Sequence, residues 1–122
     1  MSAPLGIDNV FFAVGDLDAA LDFYRRCGLG VKFRLDAAHM ALLTIGAEEP
    51  GLVVREGDSI GGGRLWVEVA DAEMAAAELN ALGILTERLE TATGITVEAT
   101  DPWGNVIGFA DYSKRPELAR GQ

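Results

Sequence analysis

The chain has 122 residues, 49% of them hydrophobic, and a formal charge of −9. That length makes one ordinary domain whose core needs no staple, and the apolar content excludes a disordered chain. A pI near 4.4 argues against nucleic acid, whose binding rests on Lys and Arg neutralising phosphates, and the single Cys27 excludes an internal disulfide framework or multi-cysteine metal site.

A strand is expected first, from about Leu5 to Val14, because Val10, Phe11, Phe12 and Val14 form a short run of β-formers. Gly15 breaks the run, and Asp16 offers a side-chain oxygen to the free amides of a following helix. That helix should run from Leu17 to Cys27, since Leu17, Ala20, Leu21 and Tyr24 recur as one buried stripe. Arg25 and Arg26 suit its C-terminal dipole, and Gly28 suits the left-handed residue after it. Strands are expected over Val31–Leu35, Met40–Ile45 and Leu52–Arg55, with turns at Asp36-Ala37-Ala38 and Glu48-Glu49-Pro50-Gly51. Gly57 to Gly63 reads as a glycine-rich connector. Beyond it the sequence predicts a strand over Arg64–Val69, a helix over Ala72–Leu82, and strands over Ile84–Leu89, Ile95–Ala99 and Val106–Asp111. Asp101-Pro102-Trp103-Gly104-Asn105 is a turn, and residues 113–122 read as a loose tail.

The same design occurs twice, 55 residues apart. Asp71 echoes Asp16, Gly83 echoes Gly28, and Ala72, Ala75, Ala76 and Leu79 echo the first helical stripe. Few identities repeat, but the order strand, Asp cap, helix stripe, Gly stop repeats whole. The 122 residues therefore divide into module one (about 5–56), the connector (57–63), module two (about 64–112) and the tail, all in a single domain.

Two β-α-β-β-β units, a capped helix followed by Gly28-Leu29-Gly30, and an Asp-Pro-x-Gly-Asn turn at Asp101 together resemble the vicinal oxygen chelate superfamily. That superfamily includes glyoxalase I, extradiol dioxygenases, fosfomycin-resistance enzymes and bleomycin-resistance proteins, and the resemblance covers Leu5 to Tyr112. It implies an α+β fold in which two tandem modules form an eight-stranded, cup-shaped mixed sheet, with helices outside and a ligand within. It also implies where a divalent metal would be held in the enzymes. The first-strand ligand, seven residues before each capping Asp, falls on Asn9 and Arg64, and the last-strand ligand falls on Gly108 and its echo Val53. None of these is a carboxylate or an imidazole, and Arg64 is a fixed positive charge, whereas divalent metals need oxygen, nitrogen or sulfur donors. Only a register slip towards Glu56 or Glu68 would restore a carboxylate. The resemblance is accordingly to the metal-free bleomycin-resistance-like branch, with no cofactor and no metal.

Period-2 alternation extends the set. If Asn9 and Arg64 face the cup, so do Phe11, Trp66 and Glu68, while Phe12, Val14, Leu65, Val67 and Val69 face the helices. Val53, Arg55 and Gly108 line the cup by the same rule. A mostly apolar concavity with a few polar groups is the usual small-molecule site. The expected ligand-binding residues are therefore Asn9, Phe11, Val53, Arg55, Arg64, Trp66, Glu68 and Gly108. Phe11 and Trp66 could instead be core filling the cup. His39 is expected to be solvent-exposed, Cys27 to be inert packing, and Trp103 a packing lid. Gly61-Gly62-Gly63 precedes a strand, not a helix, and so lacks the setting of a phosphate loop.

The function expected is a glyoxalase/bleomycin-resistance-like binding protein that sequesters a partly aromatic small molecule such as an antibiotic. The alternative is a glyoxalase-like lyase or isomerase, or a dioxygenase-type enzyme, with a metal at shifted positions, so whether the protein is an enzyme stays open at this point. Sheet edges in need of cover predict a homodimer. No apolar stretch approaches the ~20 residues of a membrane span and no signal-like run opens the sequence, so a cytoplasmic protein without membrane or nucleic-acid partners is expected.

Overall fold

A computed structural model describes Ala3, Leu5 and residues 8–120 of the chain. The chain divides into two compact units between Gly62 and Gly63. In the first, β1 (Asn9–Val14), α1 (Leu17–Arg26), β2 (Gly30–Leu35), β3 (Met40–Ile45) and β4 (Glu48–Glu56) follow in order. In the second, β5 (Arg64–Glu68), α2 (Ala72–Ala81), β6 (Glu87–Glu90), β7 (Ile95–Thr100) and β8 (Val106–Ala110) repeat that order. The eight strands form two four-stranded mixed sheets, ordered β1-β4-β3-β2 and β5-β8-β7-β6. This is the expected α+β fold of two βαβββ modules. Of the expected first strand, Gly6 and Ile7 lie outside the described residues.

The repeat extends to single hydrogen bonds. Asp16 Oδ1 accepts from Ala19 N at 2.9 Å, and Asp71 Oδ1 from Met74 N at 3.1 Å. Each helix closes with the same pair of bonds: Gly28 N to Arg25 O and Leu29 N to Tyr24 O, then Gly83 N to Asn80 O and Ile84 N to Leu79 O. Gly28 and Gly83 take φ of 93° and 82°, the left-handed conformation that this closure needs and that a Cβ disfavours. The parallel pairings share a register too, Phe11 opposite Val53 and Trp66 opposite Gly108.

One further pair was invisible to sequence reasoning. Glu56, at the end of β4, accepts from Leu17 N at 2.8 Å, and Asp111, just after β8, accepts from Ala72 N at 2.9 Å. Each module thus brings a carboxylate from its last strand to the N-terminus of its own helix, where the helix dipole favours negative charge.

Each helix packs on one face of its sheet. Phe12, Val14, Leu17, Ala20, Leu21, Tyr24, Leu43, Leu52 and Val54 are almost completely buried, and the Phe12 and Tyr24 rings lie 6.1 Å apart. In unit two Ala72, Leu79, Val97, Ala99, Ile107 and Phe109 are buried, whereas Ala75 and Ala76 are only half-buried. The expected alternation holds: Phe12 and Val14 face the helix, and Phe11 on the opposite face is 58% exposed.

The turn expected at Asp36–Ala38 is found there, while the β3–β4 turn and the start of β6 differ from expectation. The β3–β4 turn lies at Gly46 and Ala47, not at Glu48–Gly51; Gly46 takes φ of 60° and β4 begins at Glu48. Gly51 sits inside β4 opposite Asn9, where a Cβ would collide with the Leu43 carbonyl. It is glycine for close approach rather than for turning. Asp36–Ala38 is a short 3-10 turn that ends on His39 in the left-handed conformation. The strand expected from Ile84 starts at Glu87, because Ile84 is spent on closing α2 and is buried. The glycine-rich connector is partly tied down, with Gly57 N and Gly61 N donating to Val14 O and Ala13 O.

Candidate ligand-binding face

The sheet face turned away from the helix differs in chemistry between the two units. In unit one a row crosses all four strands through Phe11, Val53, Leu42 and Phe33. Phe11 and Phe33 are 58% and 44% exposed, while Val53 and Leu42 are buried between them. The next row holds Arg55, Met40 and Leu35. This face is apolar and aromatic, with the exposed Arg55 beside it and the half-buried Asn9, whose amide donates to Asp8, in β1.

In unit two the corresponding row runs Trp66, Gly108, Glu98 and Glu87. The indole of Trp66 lies over Gly108: a Cβ there would stand 2.7 Å from Nε1 and closer still to Cδ1. The space left by the missing side chain is therefore filled by the indole itself, not left as a gap for a guest. Trp66 Nε1 donates to Glu98 Oε2 at 2.7 Å, and Arg64 Nη2 donates to the same oxygen at 2.5 Å. The Glu98 side chain is only 11% exposed, so this carboxylate acts as a fixed post between a cation and an indole N–H. Among the described residues its Oε1 accepts no bond, and Trp66 remains 44% exposed. The result is a flat aromatic platform locked in one orientation, with an acceptor oxygen beside it.

Glu68 belongs to the same strand but to another contact. Its two oxygens accept from Arg120, one from the backbone N–H at 2.9 Å and one from Nη1 at 2.7 Å. The Arg120 backbone N–H, helped by its guanidinium, holds the Glu68 carboxyl below its ordinary range against the opposing effect of burial. The segment expected to be a loose tail thus makes definite contacts: Lys114 Nζ also donates to Thr91 O at 3.0 Å, and Pro116–Leu118 form a 3-10 turn.

Of the expected residues, Phe11 and Val53 are cross-strand neighbours in unit one, with Arg55 two positions along β4. Trp66 and Gly108 are neighbours in unit two, and Arg64 joins them through Glu98. Glu98 itself was missed. The signal that could have found it is its place opposite Gly108 on β7, on the same alternation. His39 is exposed, with Nδ1 3.6 Å from Glu56 Oε1. Cys27 is buried. Trp103 is half-buried in a turn whose backbone is held by the buried Asp101 carboxylate.

Residues 6–109 match the family model described as the Glyoxalase/Bleomycin resistance protein/Dioxygenase superfamily. The chain belongs to this superfamily. No curated protein is significantly similar in sequence. Among solved structures, TnmS3, an antibiotic binding protein from Streptomyces sp. CB03234, matches with a TM-score of 0.82 at 23% identity, covering 93% of this chain and 100% of that one. A lactoylglutathione lyase from Agrobacterium tumefaciens matches with a TM-score of 0.74 at 21% identity, covering 90% and 96%. TioX from Micromonospora sp. ML1 matches with a TM-score of 0.69 at 22% identity, covering 88% and 98%. At these identities the likeness is one of fold.

Enzymes of the superfamily imply a divalent metal, and the residues present do not fit one. At the four ligand positions, Arg64 is a guanidinium bonded to Glu98, Gly108 lies beneath an indole, Val53 is apolar, and Asn9 alone carries a donor oxygen. Of the nearby carboxylates, Glu56 is held to the start of α1, Glu68 to Arg120, and Glu98 to Arg64 and Trp66 through one oxygen. Among the described residues no three of His, Cys, Asp and Glu gather where they could hold a metal ion. Among them, too, no helix is long and apolar enough to cross a membrane.

Proposed function

We propose that this superfamily member is a metal-independent small-molecule-binding protein that sequesters a partly aromatic ligand such as an antibiotic. The observation that carries this reading is the Trp66 indole, seated on Gly108, fixed by Glu98 and left with its ring exposed. A ring stacked on that platform gains roughly 0.5–1.5 kcal/mol beyond burial, at little ordering cost because the indole is already held. Glu98 Oε1 offers an acceptor to a phenol, amide or ammonium donor on the same ligand. The apolar row of unit one, Phe11 with Val53 and Phe33, supports the same chemistry, and Arg55 and Asn9 supply polar contacts beside it. The fold shared with an antibiotic-binding protein supports the choice of ligand class.

The reading includes a homodimer, since β1 and β5 are edge strands and open edges favour being covered, and a cytoplasmic location, in keeping with one buried thiol. The experiment that tests the function is elemental analysis after dialysis, followed by ligand titration of the dialysed protein. Binding of an aromatic ligand with less than a tenth of an equivalent of metal supports it. Stoichiometric zinc, nickel, iron or manganese, together with loss of binding on chelation, would replace it with a glyoxalase-type lyase or isomerase.

A further inference from the structure

β5 ends at Glu68, and the chain returns to that carboxylate 52 residues later through Arg120. Beside this contact lies a cleft of about 470 Å³, lined by Glu68, Val69, Tyr112, Pro116, Ala119 and Arg120. Its lining includes neither Trp66 nor Glu98, although Glu68 stands two residues along β5 from Trp66, so it adjoins the indole platform without sharing its lining. The ion pair in its wall is asymmetric. The Glu68 side chain is 16% exposed and that of Arg120 is 67% exposed. The acid is thus built into the wall, and the guanidinium reaches it from solvent. A half-buried carboxylate beside apolar and phenolic walls is suited to a cation on an apolar stem.

We propose that Glu68 is the receptor of a second binding site, for an alkyl guanidinium or alkylammonium group, and that Arg120 is its resident occupant, displaced when such a ligand enters. The inference goes beyond the proposed function, because it requires neither Trp66 nor an aromatic ligand. The start of the tail has anchors of its own. Lys114 N donates to Thr93 O, Lys114 Nζ to Thr91 O, and Ser113 to Asp111, so the part of the wall at Tyr112 and Ser113 is anchored by bonds other than the guanidinium. Removing the Arg120 side chain also spares its backbone N–H to Glu68. The chain's charge of −9 raises the local concentration of cations.

The test is a titration of the full ¹⁵N-labelled chain with n-butylguanidinium, with the neutral n-butylurea as control, followed by NMR. The guanidinium should shift the amides of Val69, Ala70, Tyr112, Ala119 and Arg120 saturably, leave the Trp66 indole N–H in place, and be matched by no such shifts with the urea. Arg120→Ala, which removes the competitor, should tighten binding about two- to fivefold, the range expected when an exposed ion pair no longer holds the site closed. Glu68→Gln should weaken it about tenfold or more. Equal binding of the urea, a Glu68→Gln variant that binds like wild type, no tightening in Arg120→Ala, or shifts confined to the Trp66 indole would each overturn the proposal. The last outcome would leave the platform reading intact, so the two can fail separately.

Discussion

Asp111 is the residue whose loss should be felt most clearly in folding. Its Oδ1 accepts from Ile95 N at 2.9 Å, Ser113 N at 3.1 Å and Ser113 Oγ at 2.8 Å, and its Oδ2 accepts from Ala72 N at 2.9 Å. Burial alone would push this carboxyl up, but the donors, Ala72 and Ile95 foremost, outweigh it and bring it from 3.8 down to about 2. Because the folded value lies below the unfolded one, the ionised group stabilises the fold above about pH 4, and that contribution is lost as pH falls towards 2. The difference corresponds to about 2.5 kcal/mol at neutral pH, about half of that near pH 3, and little at pH 2. Asp111→Asn cannot reproduce it. Whichever way the amide turns, its NH2 faces a backbone N–H that has lost its acceptor. Urea unfolding of wild type and variant between pH 7 and pH 2 should show a gap of about 2–3 kcal/mol at pH 7 that narrows steadily below pH 4. A variant as stable as wild type at pH 7, or a gap that does not change with pH, would refute the reasoning.

Other outcomes follow from the platform and the sheet edges. Glu98→Ala removes the post that holds both Trp66 and Arg64, so the near-ultraviolet circular dichroism of the indole should weaken and aromatic ligands should bind about tenfold less tightly, since 1.4 kcal/mol is a factor of ten; an unchanged tryptophan signal would count against it. Gly108→Ala should drive the indole off its seat, lowering stability by about 1–3 kcal/mol through overpacking and weakening the same ligands; a variant whose stability and affinity both match wild type would contradict the seating. Light scattering at micromolar concentration should give twice the chain mass of 12.9 kDa, and a monomer mass would remove the homodimer from the account.

How far the residues alone reach depends on the range over which each interaction acts. Asp16, Asp71, Gly28 and Gly83 were readable because a cap acts within four residues and carries its own residue preference. The side of Phe11 and Trp66 was readable because alternation is a local property of a strand. The turn at Gly46 was misread because Pro50-Gly51 is the stronger local signal, while the close approach of Leu43 that actually demands Gly51 is visible only once β3 and β4 are paired. Glu56 and Asp111 reach helix amides 39 residues away, and Glu98 meets Trp66 only through the pairing of β5, β8 and β7. No spacing rule announces such contacts. The same holds for Arg120, which lies in a stretch with no periodic pattern and reaches Glu68 only in the folded unit.

The central claim is that the fixed Trp66 platform binds an aromatic guest without metal. The most direct measurement is a calorimetric titration of EDTA-dialysed protein with a panel of planar aromatic antibiotics, in wild type, Trp66→Ala and Trp103→Phe. The account predicts saturable binding of at least one such ligand to wild type, an affinity about tenfold or more weaker in Trp66→Ala with folding intact by circular dichroism, and wild-type affinity in Trp103→Phe. Undiminished affinity in Trp66→Ala, or binding that appears only when a divalent metal is restored, would contradict it.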